Sequence, residues 1–393
     1  MNRSFAALGG FLAALAAAAP AHAQAEARIQ RDGAAWVETV TGSIPIGDAS
    51  RLRIITRGDV NLRGAATSQI QYEYQKRVRA RDLNEAKRLL ATQEIRLWRQ
   101  GDWAQVTLHE PGWSLISGTI HVRVPMKLRQ AVVETRTGNL DLAGLEAEVL
   151  AETGGGLVQA DQMRGSLVVR TGGGRIRTGR IDGSLRAITG GGTIRVLHAG
   201  AEAWLETGGG DIVVEESMGP LQLSTGAGNI QVTRAASTVS ARTLGGLIKV
   251  MEAGGHVSAE SAGGGIQVGS ARSVVCESMA GGIRLIGVSG ELNVSTARGD
   301  VVAEFLKDRR LKDSALSTRS GDITVVIPSN LAVTVRALNE SMIKLGAIVS
   351  EFPEIRMESS APELATAAGN LNGGGPLLKI AARNGTIYLR RQK

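Results

Sequence analysis

The stretch that decides the fold is SLVVRTGGGRIRTGRIDG, residues 166–183, followed at once by SLRAITGGGTIRVLHAGA, residues 184–201. The two segments align over 18 residues without a gap, and the same frame extends in both directions. A Thr or Ser marks each unit: Thr135, Thr153, Thr171, Thr189, Thr207, Thr225, Thr243, Ser261, Ser278, Thr296 and Thr318. The fifth residue after every marker is aliphatic: Leu140, Val158, Ile176, Ile194, Ile212, Ile230, Ile248, Ile266, Ile283, Val301 and Ile323. A period kept over so many units predicts a repeat architecture.

Each unit contains two short runs of alternating residues. Leu167 and Val169 alternate with outward positions before the glycine triplet 172–174, and Ile176 and Thr178 alternate after it. This pattern predicts two strands per unit, each with one buried face. Because so short a unit cannot bury its own apolar face, the units must stack. The sequence therefore predicts an all-β, single-stranded parallel β-solenoid with 18-residue rungs and two short strands per rung. We expect each marker Thr to end a first strand and to bond its copies in neighbouring rungs.

The composition predicts four parts of the chain. Residues 1–23 have a positive start, an apolar run and an Ala21-His22-Ala23 cleavage site, as a secretory signal peptide does. Residues 24–130 are expected to be an N-terminal β-rich cap containing one helix, residues 131–340 the solenoid, and residues 341–393 a C-terminal rung and cap. No later segment is apolar for long enough to predict a membrane span.

The two end regions also contain readable elements. In the N-terminal region, residues 52–62 resemble one early rung, residues 70–78, 95–97, 103–108 and 120–124 alternate as strands, and residues 82–93 read as a helix capped by Asp82. In the C-terminal region, Leu378, Ile380, Ile387 and Leu389 recover the rung spacing around Asn384-Gly385. Residues 359–376 are rich in Ser, Ala, Asn and Gly, and are expected to form a loop.

These segments resemble the bacterial putative-adhesin domain family of unknown function, β-solenoids related to the auto-transporter adhesin head domain. The residues that carry the resemblance are Val122-Arg123-Val124-Pro125, Thr135-Arg136-Thr137-Gly138-Asn139-Leu140, the Thr-Gly-Gly-Gly units, Ser320-Gly321-Asp322-Ile323, Val326-Ile327-Pro328 and Asn384-Gly385-Thr386-Ile387. The resemblance implies a β-solenoid over most of the chain after residue 23. It implies no catalytic residues, because none are established for that family.

Most motifs that could carry chemistry have a structural interpretation. The four histidines after residue 23 lack metal-ligand spacing, and no Ser/His/Asp arrangement stands out, so we predict no catalytic residue, no metal site and no cofactor. Strands follow the glycine triplets, so these are turns and not phosphate loops. The acidic residue of a calcium-binding nonapeptide is present at Asp211 and Asp300 but absent from most rungs, which excludes a calcium ladder over most of the rod.

Two further features are assigned to slots of the repeat. Cys276, the only cysteine, occupies a slot of small apolar residues and is predicted to be a buried core residue. Arg57-Gly58-Asp59 and Arg298-Gly299-Asp300 spell a cell-attachment tripeptide, but both occupy the slot of a turn.

One surface row is a candidate binding site. The outward position of the second strand reads Gln159, Arg177, Arg195, Val213, Gln231, Lys249, Gln267 and Arg284. Spaced cations of this kind can bind an acidic polymer, such as an anionic polysaccharide, or lipid headgroups. The alternative is a solvated strand face whose like charges discourage edge pairing.

The leading hypothesis is an exported, non-enzymatic β-solenoid that acts as an adhesin or envelope binding scaffold. The alternatives are a polysaccharide-active β-helix enzyme and a purely structural envelope spacer. An enzyme would need converging carboxylates, whereas Asp141, Asp161, Asp182, Asp211 and Glu215 occupy different slots. The expected partners are an envelope or extracellular polysaccharide or a surface protein, with no nucleic acid, and the expected location is periplasmic, cell-surface or secreted. The ligand, the oligomeric state and the handedness of the winding are left open.

Overall fold

The structure, a computed structural model, describes residues 28–109, 116–307, 311–340, 348–361 and 364–392. The predicted signal peptide, residues 1–23, lies outside these ranges. The described chain is all-β with one helix.

The elements follow one another in chain order. The N-terminal elements are β1 (Arg28–Asp32), β2 (Ala35–Pro45), β3 (Arg51–Thr56), β4 (Asp59–Ala65), β5 (Gln69–Val78), α1 (Leu83–Leu90), β6 (Glu94–Gln100), β7 (Trp103–His109) and β8 (Ser117–Pro125). The repeat strands are β9 (Lys127–Thr135), β10 (Leu140–Ala143), β11 (Glu146–Thr153), β12 (Val158–Asp161), β13 (Leu167–Thr171), β14 (Ile176–Ile181), β15 (Leu185–Thr189), β16 (Ile194–Ala199), β17 (Ala203–Thr207), β18 (Ile212–Ser217), β19 (Leu221–Thr225), β20 (Ile230–Ala235), β21 (Val239–Thr243), β22 (Ile248–Ala253), β23 (His256–Ser261), β24 (Ile266–Ser270), β25 (Ser273–Ser278), β26 (Ile283–Val288), β27 (Leu292–Thr296) and β28 (Val301–Phe305). The last strands are β29 (Ser314–Ser320), β30 (Ile323–Ile327), β31 (Val333–Glu340), β32 (Ile348–Ser350), β33 (Arg356–Ala361), β34 (Leu364–Leu371), β35 (Leu377–Asn384) and β36 (Ile387–Arg391).

Equivalent strands of successive units pair in parallel, which confirms the predicted solenoid. Strands β15 and β17 align Leu185 with Ala203, and β16 and β18 align Ile194 with Ile212, each pair being 18 residues apart. The first strands of all units form one sheet, which we name sheet B, and the second strands form the other, sheet A. The repeat period therefore becomes the register of both sheets.

The core lies between the two sheets and consists of stacked aliphatic side chains. All eleven residues in the fifth position after a marker are at most 1% exposed. Each fully buried Ile or Val contributes about 1.5–3 kcal/mol through removal of apolar surface from water. Because every rung supplies such residues, the core is continuous along the rod.

The marker Thr or Ser ends the first strand of each rung from β9 to β27, as predicted, whereas Thr318 lies two residues before the end of β29. The hydrogen bonds of the marker differ from the prediction. The hydroxyl of Thr207 donates to the carbonyl of Gly192 (2.8 Å) and accepts from the amide of Gly210 (3.2 Å). The same pair of bonds recurs at Thr153, Thr171, Thr189, Thr225 and Thr243. The prediction that the hydroxyls bond one another was wrong, because these two backbone groups at the turn use the hydroxyl as both acceptor and donor.

The third glycine of each triplet is required by the close approach of successive turns. A Cβ atom on Gly174 would lie 1.9 Å from the carbonyl oxygen of Gly156, one rung earlier. No side chain tolerates that distance, so turns stacked at the strand spacing of about 4.8 Å exclude a Cβ there.

At the N-terminal end, the order of the rungs differs from the order of the chain. Strands β3 and β4 form the predicted early rung and align Thr56 with Thr135 and Val60 with Leu140. Strands β7 and β8, which come later in the chain, stack on the outer side of β3 and β4. Antiparallel strands then end the sheets, with β5, β2 and β1 in sheet A and β6 in sheet B.

Helix α1 covers this end and is held there by a buried lysine. Asp82 caps the helix by accepting from the amide of Glu85, as the sequence predicted. The ammonium of Lys76 on β5 donates to the carbonyls of Leu90 and Gln93 at 3.1 Å each, and it pairs with Glu38 at 2.5 Å. Lys76 thus ties the last turn of the helix to β2 and β5.

The C-terminal end repeats this exchange of order and corrects one prediction. Strands β35 and β36 form the predicted rung, but it lies between β29/β30 and β31/β32, which precede it in the chain. The expected loop at 359–376 was wrong, since β34 spans Leu364–Leu371 and pairs with β31 and β33. The open edge of β31 supplies hydrogen bonds that the weak strand propensity of these residues did not predict.

Candidate functional site

The predicted surface row lies in one straight column on the outer face of sheet A. The strand register joins neighbouring members in this order: Gln159, Arg177, Arg195, Val213, Gln231, Lys249, Gln267 and Arg284. In sequence each follows an inward residue that is buried, such as Ile176 before Arg177 and Ile248 before Lys249. Successive members are therefore about 4.8 Å apart along the rod.

The cations of this row differ in whether they are neutralised. Arg195 pairs with Glu215 of the next rung, with 2.9 Å between Nη2 and Oε1. In the described ranges, Arg177, Lys249 and Arg284 have no carboxylate oxygen within 4.0 Å. Three uncompensated cations thus stand on one flat face, and the sequence did not distinguish them from Arg195.

Beyond the predicted row, the exchanged rungs extend the column toward the N-terminus. Asp141 aligns with Gln159 on one side and with Asn61 on the other, and Asn61 aligns with His121. Asp141 is engaged by the guanidinium of Arg63, and Asn61 Nδ2 lies 3.3 Å from His121 Nδ1. Asn61, Arg63 and His121 line an open groove of about 780 Å³ at that end of the face. The repeat period could not place His121 in this column, because the rung of β7 and β8 is out of chain order.

A second column on the same face is an internally neutralised ladder. His198, Glu216, Arg234 and Glu252 align in successive rungs. Glu216 contacts His198 at 3.0 Å and Arg234 at 3.5 Å, and Arg234 reaches Glu252 at 3.5 Å. The hydrogen bond from His198 is the main cause that lowers the pKa of Glu216. Because its charges are paired, we expect this ladder to bind an ionic ligand more weakly than the row beside it does.

The acidic residues considered for an enzyme are each bonded within their own surroundings. Asp141 pairs with Arg63, Asp182 with Arg180 and Glu215 with Arg195. Asp161 accepts from the backbone amides of Gln162 and Arg180, and Asp211 from that of Asn229. These bonds give the five carboxylates structural partners.

The Asp and Asn residues after the turns satisfy backbone amides of the following rung. Asp211 accepts from the amide of Asn229, and Asn229 from that of Leu247. The same bonds join Asp300 to Asp322 and Asp322 to Thr386. Over the described residues, no group of three His, Cys, Asp or Glu side chains is placed to hold a metal ion.

The Asp residues of the two Arg-Gly-Asp tripeptides also accept hydrogen bonds from backbone amides of a neighbouring rung. Asp59 accepts from the amide of Asn139 at 2.7 Å, and Asp300 from that of Asp322 at 2.8 Å. In both tripeptides the carboxylate has a structural role at the corner of a rung.

Cys276 is buried in the core as predicted. Its side chain is 1% exposed and aligns with Ala259 and Val294. Burial raises the pKa of the thiol to about 12, so the nucleophilic thiolate is not populated at neutral pH.

The comparisons with known proteins bear on the family and not on the ligand. A family profile, Toastrack DUF4097, matches residues 57–342. No curated protein matches significantly. Among solved structures, the chain is similar to a "putative cell adhesion protein" from Clostridium sporogenes at 9% identity and a TM-score of 0.20, covering 91% of this chain and 100% of that one.

Two further solved structures are similar at comparable levels. A "putative adhesin" from Bacteroides fragilis has 12% identity and a TM-score of 0.25, covering 73% of this chain and 96% of that one. A "putative adhesin" from Parabacteroides merdae has 10% identity and a TM-score of 0.25, covering 73% and 92%. At these TM-scores the likenesses carry no argument, whereas the profile covers more than half of the sequence. The chain belongs to the Toastrack DUF4097 family.

Proposed function

We propose that the protein is an exported, non-enzymatic binding scaffold that holds an anionic polymer or surface along the outer face of sheet A. The observation that carries the proposal is the column containing Arg177, Lys249 and Arg284, three cations without a carboxylate partner in the described ranges. Spaced cations on a rigid face attract an extended polyanion with little loss of conformational freedom by the protein.

The order and stiffness of the rod support this proposal. Arg177 and Lys249 are four rungs apart, or about 19 Å, and Lys249 and Arg284 are two rungs apart, or about 10 Å. Because backbone hydrogen bonds fix every rung, these spacings do not depend on flexible loops. Only an extended ligand can contact all three cations at once.

The proposed location is the bacterial envelope, either periplasmic or on the cell surface. It is supported by the composition of residues 1–23, which predicts secretion. In the ranges that the structure covers, no helix has the length and apolar character needed to cross a membrane.

The test is binding of the purified protein to polygalacturonate, with dextran as the neutral control, at low and at high salt. We expect salt-sensitive binding to polygalacturonate alone. Replacing the three free cations together, by Arg177→Gln, Lys249→Gln and Arg284→Gln, should weaken it by about 100-fold, since each cation near an anionic surface contributes about 1 kcal/mol.

The matched control removes the same net charge from the other sheet, by Arg170→Gln, Arg242→Gln and Lys379→Gln on the outer face of sheet B. This variant should bind nearly as well as the unmodified protein. Absence of salt-sensitive binding, or equal losses in the two triple variants, would overturn the proposal.

A further inference from the structure

Exposed aliphatic side chains stand beside the cations in the C-terminal half of the outer face of sheet A. Met251 lies two residues after Lys249 on β22, and Ile286 lies two residues after Arg284 on β26. Because alternate residues of a strand share a face, each cation has a large apolar neighbour on the same surface. Met251 is 47% exposed and Ile286 is 40% exposed.

The same mixture continues to the end of the sheet. The register places Val302, Thr324, Tyr388 and Val349 in line after Arg284. It places Glu304, Val326 and Arg390 in line after Ile286. We name these two lines, together with Lys249, Met251, Arg284 and Ile286, the C-terminal patch.

The charge of the C-terminal patch is positive. Arg390 lies over the ring of Tyr388, with 5.1 Å from Cζ to the ring centroid. The one carboxylate within the two lines, Glu304, accepts from Gln392 at 3.3 Å. Lys249, Arg284 and Arg390 have no ion-pair partner within the described ranges.

The combination of cations and exposed apolar side chains favours an anionic bilayer over a soluble anionic polysaccharide. A soluble polysaccharide would leave Met251, Ile286 and Val349 in water, so their exposure would contribute nothing to its binding. An anionic bilayer offers phosphates to the cations and, a few ångströms deeper, an apolar boundary to the aliphatic side chains. The sheet face carries both kinds of group, and the long Lys and Arg side chains can bend back toward the phosphates while the shorter apolar side chains face the boundary.

We propose that the C-terminal patch lies on the surface of an anionic lipid bilayer, with Lys249, Arg284 and Arg390 against phosphates and Met251, Ile286 and Val349 at the headgroup boundary. This inference rests on the proposed function, because it names the anionic surface that part of the face contacts. The rod then lies along the bilayer instead of crossing it.

The test is sedimentation of the full chain with vesicles of phosphatidylglycerol and phosphatidylcholine in equal parts, and with vesicles of phosphatidylcholine alone. We expect binding to the anionic vesicles only. The double variant Met251→Ser/Ile286→Ser should weaken vesicle binding about ten-fold because it removes apolar contact area, and its binding to polygalacturonate should not change. Arg284→Gln should weaken vesicle binding about five-fold.

The control is Leu244→Ser, which removes an exposed aliphatic side chain at a turn outside the C-terminal patch. It should leave vesicle binding unchanged. Vesicle binding that is equal in the double variant and the unmodified protein would overturn the bilayer inference. Binding to polygalacturonate without binding to vesicles would also overturn it and leave the proposed function standing, whereas binding to neither would reject both.

Discussion

Replacing Ile212 by Asp should destabilise the protein by about 4 kcal/mol or more, because it places an unpaired charge in the core. Ile212 is fully buried and stacks between Ile194 and Ile230. The denaturation midpoint in urea, followed by circular dichroism, measures the loss. The cost is this large because no cation lines that interior column.

Val213→Asp is the matched control, since it introduces the same group one residue later. Val213 points outward, between Arg195 and Gln231, so the new carboxylate remains in water beside a cation. Its cost should stay below about 1 kcal/mol. Similar shifts of the midpoint in the two variants would show that the inward and outward faces of the rung are assigned incorrectly.

Lys76→Ala should cost about 3–5 kcal/mol, because it leaves the buried carboxylate of Glu38 without its counter-charge. Lys76 is 6% exposed, and the change also removes the donor to the carbonyls of Leu90 and Gln93 at the end of α1. Urea denaturation measures the loss of stability, and hydrogen exchange of α1 should show that the helix opens first.

The neighbouring residue on β5 supplies the control for this prediction. Arg77 pairs with Asp32 at 3.1 Å on the solvent side, where more than half of each side chain is exposed. Arg77→Ala should therefore cost less than about 1 kcal/mol. The double variant Lys76→Met/Glu38→Leu should recover much of the stability that Lys76→Ala loses, as replacement of a buried pair by apolar groups does. A cost for Lys76→Ala no greater than that for Arg77→Ala would contradict the buried ion pair.

The repeat made the solenoid predictable because one local rule, an aliphatic residue five places after each Thr, also defines the contacts between rungs. The order of rungs at the two ends was not predictable in that way. Strands β7 and β8 have the same alternation of inward and outward residues as the other rungs. This alternation does not determine whether they stack beside β3 and β4 or at their place in the chain order. The strand at 364–371 escaped prediction because its Ala, Gly and Asn residues have little strand propensity of their own.

The candidate site was predictable to a similar degree. The period correctly placed the row in one column. It did not predict the ion pair of Arg195 with Glu215, because Glu215 lies in the next rung and in a different column. The signal for Met251 and Ile286 was present in the sequence, since each is the eighth residue after its marker, Thr243 or Ser278. The period alone does not mark these two residues as a site, because the same position holds Gly179, Glu215 and Gly269 in other rungs.

The most direct test of the account is the distance between two spin labels in the row, placed by Gln159→Cys and Gln267→Cys. Cys276 is buried, so labelling is confined to the introduced thiols. The two positions are six rungs apart, which predicts about 29 Å, and moving the second label to Arg284→Cys should lengthen the distance by about 5 Å. Both proposals need this straight column. A narrow distribution near these values with the expected lengthening would support it, and a broad distribution or an unchanged distance on moving the label would contradict it.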